Sequence, residues 1–260
     1  MVHDADGVDD ATMHAFARET RLSETTFVQT ATRDGADYRN RIWMTTRELP
    51  FAGHPSLGTA VAVARARGER EARYVQQTGT GLQPIDVTLD GDQATASMLQ
   101  ERAQFGDEVD ASAPLAALGL GEADAAPLPA QVVSTGIPHL MLPVAREALA
   151  RVRPDPGALP ALLDRVGAIC VYPFAWEDGS SEAFARAFFV DAAGITEDPA
   201  TGSAGGPLMA FLHARAGAAE VDVHQGVEMG RRSLLRCAID GDRPRVGGDV
   251  VVVADGTVGF

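Results

Sequence analysis

Two short stretches of the chain place side chains that could do chemistry next to small residues and an apolar run. One has the carboxylates of Glu197 and Asp198 ahead of 201–206, TGSAGG, and the other has Glu48 ahead of the Gly53-His54 pair. Each pattern predicts a strand, a turn and a helix start. A helix start presents unpaired N–H groups and the positive end of the helix dipole, so it favours an anionic ligand such as a carboxylate. The alternative is that these small residues only cap a core helix.

The two stretches repeat each other at a spacing of 149 positions, from Glu48 to Glu197. The same shift places Pro50 on Pro199 and Gly53 on Gly202. This repeat predicts two related domains, whose helix starts could face a shared cleft. We predict a first domain over 1–110, an Ala-, Asp- and Pro-rich linker over 111–129 and a second domain over 130–260, with the extreme C-terminus returning to the first.

Composition excludes several classes of function. The chain has 260 residues, 45% of them hydrophobic, and a net charge of −14, which disfavours nucleic acid or an anionic membrane as a partner. All 22 basic residues other than histidine are arginine, so Schiff-base chemistry on lysine is excluded, and the P-loop motif is absent. The histidines show no convincing metal-ligand spacing, and no apolar run is long enough to cross a bilayer. We therefore expect a cytoplasmic protein without metal or cofactor.

Local signals predict the remaining elements. Asp9-Asp10 marks a helix that ends near Leu22, and Asp34-Gly35 joins two strand-like runs into a hairpin. Glu24 stands at the start of the first of these strands, and a second hairpin turns through Asp90-Gly91. Cys170 and Cys237 lie in apolar strand-like runs, which predicts core packing for both thiols.

Several motifs, in this order, together resemble one family, the phenazine-biosynthesis isomerase-like (PhzF-like) proteins, which share the diaminopimelate epimerase fold. They are LSETTFV at 22–28, ELPFAGHPSLGTA at 48–60, STGIPHL at 134–140, EDPATGSAGGPL at 197–208 and QGVEMGR at 225–231. The resemblance covers nearly the whole chain. It implies an α+β fold of two pseudo-symmetric domains, each a curved, barrel-like sheet around a central helix.

The resemblance also implies a chemistry. It assigns the chain to cofactor-independent isomerases or epimerases that move a proton between carbons of a small carboxylated metabolite. Glu24 is expected to be the general acid/base, and partial desolvation, together with a nearby carboxylate such as Asp198, would raise its pKa toward the working range. His54 and Asp198, near the two helix starts, are expected to position the substrate and relay protons. The substrate carboxylate is expected to bind through Ser23, Gly53, Thr201, Gly202 and Ser203.

One departure from the family pattern, and several further questions, stay open at the level of sequence. Family members begin with a strand and a Gly-Asn-Pro turn that would precede His3, so either the natural chain is longer or it is truncated. If the N-terminal strand is truly absent, backbone N–H and C=O groups at the edge of the first sheet would be unpaired, and activity would be in question. A non-catalytic small-anion-binding or scaffold protein is the alternative function. We also expect a homodimer, and the sequence does not identify the substrate.

Overall fold

The structure, a computed structural model, describes residues 1–91, 93–191 and 194–259. It is an α+β protein, as the sequence predicted, and the chain divides into two compact units. The first unit comprises Met1–Leu99 and the segment that begins at Gly247, and the second comprises Gln100–Val246. One strand, Arg243–Val251, runs through this boundary.

The first unit contains two α-helices and six strands before the boundary, among the residues that the structure describes. In chain order they are α1 Asp10–Thr20, β1 Thr25–Gln29, β2 Tyr38–Trp43, β3 Glu48–Leu49, α2 Gly53–Arg67, β4 Glu71–Thr78, β5 Gly81–Asp90 and β6 Gln93–Leu99.

The sheet of the first unit is built around α2. Its strands follow the order β1-β2-β4-β5-β6, in which only β2 and β4 pair in parallel, and β3 pairs with β2. Helix α2 contacts β1, β2, β4, β5 and β6, and apolar residues such as Val61 and Ala64 are buried on it. A helix that is apolar nearly all round must be enclosed, so the sheet curves around it.

The second unit is larger and repeats this plan. Its elements are β7 Gln104–Val109, α3 Ser112–Ala117, β8 Ala130–Ser134, β9 Pro138–Pro143, α4 Ala158–Val166, β10 Cys170–Trp176, β11 Glu182–Ala185, β12 Ala187–Asp191, β13 Gly194–Asp198, α5 Gly202–Ala216, β14 Glu220–Gln225 and β15 Ser233–Asp240, with 3₁₀ helices at Glu122–Asp124 and Arg146–Arg151. Strand β16 is Arg243–Val251. Residues 111–129, predicted as a linker, hold α3 and a 3₁₀ helix within this unit, and Leu115 and Leu118 there are buried.

The two units match in strand order and sense. In the first unit, β1 pairs antiparallel with β2, β2 parallel with β4, and β4 antiparallel with β5. In the second unit, β10 pairs antiparallel with β11, β11 parallel with β14, and β14 antiparallel with β15. Both central helices have 15 residues, and each ends at a left-handed glycine, Gly68 with φ 71° and Gly217 with φ 72°. The shift of 149 residues that aligned the motifs therefore aligns both helices from end to end, which confirms the predicted pseudo-symmetry.

Several local predictions are confirmed. Helix α1 begins after Asp9, whose carboxylate accepts a hydrogen bond from the Thr12 N–H at 2.8 Å. The strands flanking Asp34-Gly35 pair antiparallel, as do β5 and β6, although Asp92 in the second turn lies outside the described residues. Both cysteines are buried. Ala192 and Ala193, in the predicted strand before Glu197, also lie outside the described residues.

The helices described in the structure include none long and apolar enough to cross a membrane.

The burial of α5 makes a stability prediction. Leu208 is fully buried on this helix, whereas Leu22 is 57% exposed. Leu208→Ala should lower the free energy of unfolding by about 2–5 kcal/mol, because it removes buried methyl groups and leaves a cavity. The matched change Leu22→Ala should stay within about 0.5 kcal/mol of the parent. Urea unfolding followed by circular dichroism measures both, and equal effects would contradict the assigned core.

Candidate active site

The first group of functional side chains lies where α2 begins. Gly53 is the first helical residue and is buried, and the N-cap residue Ala52 provides no side-chain cap. The first-turn N–H groups of a helix have no intrahelical acceptor, so this end of α2 remains able to bind an anion. His54 is the second helical residue, and its side chain is 48% exposed.

Glu24 reaches His54 from the start of β1. Its carboxylate oxygen Oε2 lies 3.0 Å from Nε2 of His54, and its side chain is only 15% exposed. The contact is close but poorly aligned, and Oε2 accepts no hydrogen bond of ordinary geometry from the residues that the structure describes. One oxygen of a largely buried carboxylate is thus enclosed without being saturated, which suits a group that must accept a proton.

The pKa of Glu24 is lowered from its ordinary value, whereas the sequence argument expected it to rise. Burial is the largest single influence and acts to raise this pKa, but the imidazole of His54 and the hydroxyl of Ser23 both lower it, and together they prevail. The expectation counted desolvation and omitted the neighbouring imidazole. The lowered pKa therefore favours the ionised form of Glu24.

The second group lies at the start of α5, in the second unit. The Oδ2 atom of Asp198 accepts a hydrogen bond from Thr201 Oγ1 at 2.7 Å, and Oδ1 accepts one from the Ala200 N–H at 3.3 Å. Thr201 is the N-cap residue, and its carbonyl oxygen accepts from the N–H groups of Ala204 and Gly205. The carboxylate of Asp198 is thus fixed relative to the helix start.

A buried glutamine holds this turn together. Gln225, at the end of β14, donates through Nε2 to the Asp198 carbonyl at 2.6 Å and to Thr201 Oγ1 at 2.8 Å. Its Oε1 accepts from the Thr201 N–H at 3.2 Å and from the Tyr172 hydroxyl at 2.8 Å. Gln225 and Tyr172 are fully buried, so this network is rigid and shielded from water.

The first residues of α5 also have partners in the second unit. Gln100 Nε2 donates to the Gly202 carbonyl at 2.8 Å, and its Oε1 accepts from Thr135 Oγ1 at 2.5 Å. A Cβ atom on Gly206 would lie 2.0 Å from that Oε1, so the glutamine side chain occupies the space that the glycine leaves. A side chain at this position would displace the Gln100 amide from its hydrogen bonds with Gly202 and Thr135.

His139 is fully buried near Ser203. Burial lowers its pKa to about 3, although the Ser203 backbone acts in the opposite direction, so the ring is neutral at physiological pH. Among the described residues, no group of three or more His, Cys, Asp or Glu side chains is arranged to hold a metal ion.

Comparison with known proteins identifies the family. The family model described as phenazine biosynthesis-like protein (PhzC-PhzF) matches residues 1–256. The chain belongs to the PhzF-like family. The prediction made from the five motifs is therefore confirmed.

Named relatives of this PhzF-like protein are isomerases. It is 34% identical to the trans-2,3-dihydro-3-hydroxyanthranilate isomerase of Pseudomonas fluorescens, with 98% of this chain and 91% of the relative covered. It is 35% identical to an uncharacterized isomerase of Mesorhizobium japonicum, with the same coverage. The solved structure of a protein from Pseudomonas aeruginosa, described as a predicted epimerase, matches with a TM-score of 0.80 at 34% identity and covers 98% of this chain and 92% of its own. The isomerase class is confirmed.

The structure places the predicted site residues of this PhzF-like protein in two groups. Ser23, Glu24, Gly53 and His54 meet in the first unit, and Asp198, Thr201, Gly202 and Ser203 meet in the second. The sequence argument gave no role to Gln225, Tyr172 and Gln100. Gln225 opens the QGVEMGR motif, which was a signal of family membership but not of its hydrogen bonds to Thr201 and Asp198.

The pair of His54 and Glu24 makes a titration prediction. In His54→Asn, the pKa of Glu24 should rise, because burial remains while the largest lowering influence is lost. Carbon-13 NMR of the Glu24 carboxyl measures this pKa. The control is His213→Asn, in the second unit, which should leave the pKa of Glu24 unchanged. An unchanged Glu24 pKa in His54→Asn would contradict the pairing.

The same pKa shift fixes the sign of a pH effect on stability. A carboxyl whose folded-state pKa is lowered contributes stability above its unfolded-state pKa and loses it as the pH falls through the folded-state value. The loss of stability on acidification should therefore be smaller in His54→Asn than in the parent.

Proposed function

We propose that this protein is a cofactor-independent isomerase that moves a proton between carbons of a small carboxylate-bearing substrate, with Glu24 as general acid and base. The observation that carries the proposal is the largely buried carboxylate of Glu24, 3.0 Å from the imidazole of His54, with one oxygen not saturated by aligned donors. The family supports the reaction class.

The proposed reaction balances within the substrate and Glu24. The Glu24 carboxylate takes a proton from a carbon, so a C–H bond breaks and an O–H bond forms. The electron pair left behind moves into the conjugated system of the substrate, and the neutral Glu24 then returns the proton to a different carbon. No oxidant, reductant or further reactant enters, and the enzyme ends in its starting state.

His54 would tune this cycle. The imidazole keeps Glu24 ionised before the substrate arrives, as the lowered pKa indicates. A bound substrate that displaces water increases the desolvation of the carboxylate, which makes Glu24 a stronger base when the C–H bond must break. The half-exposed side chain of His54 would also donate or accept a hydrogen bond at a substrate oxygen or nitrogen.

We further propose that the turn at Asp198 positions the substrate. The Gly202 and Ser203 N–H groups at the start of α5 suit a carboxylate, and the carboxylate of Asp198 suits a hydroxyl or amino group. Thr201 and Gln225 hold Asp198 in one orientation, so little conformational freedom is lost on binding. A shared cleft and a homodimer stay predictions.

A relative supplies the first substrate to test. The named activity of the Pseudomonas fluorescens relative is isomerisation of trans-2,3-dihydro-3-hydroxyanthranilate, which contains a carboxylate, an amino group and a hydroxyl. These are the groups that the two turns could recognise, so we propose this molecule or one of the same class as substrate.

The central test replaces the base. Glu24→Gln should reduce turnover and solvent-deuterium incorporation by about 10²–10⁴-fold, because the amide cannot accept the proton. Glu19→Gln, which alters an exposed glutamate on α1, should leave both unchanged. Turnover of Glu24→Gln at the parental rate would refute the assignment of the base. Tight binding of the substrate by the parent without any conversion would instead favour the non-catalytic anion-binding alternative.

A second test addresses the orientation of Asp198. Thr201→Val removes the hydroxyl that donates to Asp198, while Thr201→Ser retains it. A lost hydrogen bond to a charged group is worth about 1.5–3 kcal/mol, so kcat/KM should fall roughly 10- to 100-fold in Thr201→Val. Steady-state kinetics on both variants measures this. Parental kcat/KM in Thr201→Val, which keeps the methyl group and lacks the hydroxyl, would refute the role of this hydrogen bond.

A further inference from the structure

Both functional turns follow a glutamate that is bound by a buried arginine. In the first unit, Arg41 donates from Nε and Nη2 to the two carboxylate oxygens of Glu48, the second at 2.8 Å. In the second unit, Arg186 donates from Nε and Nη2 to the two oxygens of Glu197 at 2.8 and 2.7 Å. Both arginines are less than 10% exposed. The same bidentate pair thus occurs twice.

The two pairs also share their place in the sheet. Glu48 lies opposite Trp43 in the β2–β3 pairing, and Glu197 lies opposite Phe188 in the β12–β13 pairing. In each case the arginine is two residues before that aromatic residue and lies over its ring, with distances from Cζ to the ring centroid of 5.6 Å for Arg41 and 4.9 Å for Arg186. Cation–π contact and the bidentate pair together fix the guanidinium plane.

A glycine just after the strand that follows each central helix passes close to the segment that contains the paired glutamate. A Cβ atom on Gly79, after β4, would lie 2.8 Å from the Pro50 Cα, and one on Gly226, after β14, would lie 3.0 Å from the Pro199 Cβ. Pro50 and Pro199 are the prolines that the repeat aligns. Each Glu-x-Pro segment is therefore bound at its glutamate by an arginine, and a glycine backbone passes close to its proline.

These contacts act immediately ahead of the chemistry. Gly53 and Gly202 begin the central helices three residues after the prolines, and each helix start carries proposed site residues. Successive residues of a strand point to opposite faces, so anchoring Glu197 on one face directs the next residue, Asp198, to the other. The arginine of each pair is buried, whereas the side chain of Glu48 is 36% exposed and that of Glu197 is 18% exposed, so good geometry must offset the desolvation of the guanidinium. A positional role explains why the pair occurs in both units.

We propose that Arg41 and Arg186 are positioning residues, which act through Glu48 and Glu197 to set His54 against Glu24 and to orient Asp198. The inference rests on the proposed function only for the roles of those three side chains. The claim that each arginine fixes the position of its turn does not depend on the proposed function.

The first test uses a charge-conserving change and a readout that needs no substrate. Arg41→Lys keeps the positive charge but loses the planar fork. The pKa of Glu24, followed by carbon-13 NMR of its carboxyl, should rise toward its value in His54→Asn, because the imidazole is displaced. Arg73→Lys changes an exposed ion pair with Asp86 in the same unit and should leave the Glu24 pKa unchanged.

The outcome of that test separates position from stability. An Arg41→Lys protein with lowered thermal stability but the parental Glu24 pKa would overturn the inference. Glu48→Asp, which keeps the charge and shortens the reach of the carboxylate, provides the second variant if Arg41→Lys does not fold, and the same rise is expected.

The second test addresses the other unit with trans-2,3-dihydro-3-hydroxyanthranilate as the probe. Arg186→Lys should lower kcat/KM at least 10-fold, and the exposed control Arg165→Lys should not. Parental kinetics in Arg186→Lys would refute the role of this arginine. If the parent does not convert the probe, isothermal titration with the same molecule replaces kinetics, and Arg186→Lys should weaken binding at least 10-fold. Failure of Glu24→Gln to lose activity would refute the base assignment and leave these two results standing.

Discussion

Enclosure of one apolar helix in each unit is the constraint on which the other features depend. Helices α2 and α5 bury most of their side chains, so the strands must curve around them and most of each helix is closed to ligands. The helix start is different, because its N–H groups cannot be satisfied within the helix. Small residues, Gly53 in one unit and Gly202 in the other, keep those groups accessible. The predicted site residues of each unit therefore lie at or beside the start of its central helix.

At Glu24, two opposing effects decide the protonation state. Burial alone would raise the pKa of the carboxyl. The imidazole of His54 reverses the direction of the pKa shift, and the Ser23 hydroxyl adds to it. A largely buried carboxylate is thereby kept charged. That combination is uncommon for a surface glutamate at the start of a strand, and it explains why position in the sequence alone gave Glu24 no distinction.

The features that could be predicted from the sequence are those written in local patterns. The start of α1 follows from Asp9, and the 149-residue repeat predicted that α2 and α5 would begin at matching positions, Gly53 and Gly202. The contacts that could not be predicted join residues far apart in the chain. Gln225 reaches Tyr172 and Thr201 only because β14 and β10 lie in one sheet, and no periodicity records which side chains then meet. The predicted direction of the Glu24 pKa shift was wrong for the same reason, because the shift depends on His54, 30 residues away.

The internal repeat separates residues that shape the turn from residues that act there. The 149-residue shift matches Glu48 with Glu197, Pro50 with Pro199 and Gly53 with Gly202, all of which fix the path of the backbone. The same shift places His54 on Ser203 and Asp198 on Leu49, so the reactive side chains do not match. One backbone geometry thus presents an imidazole in the first unit and a carboxylate in the second.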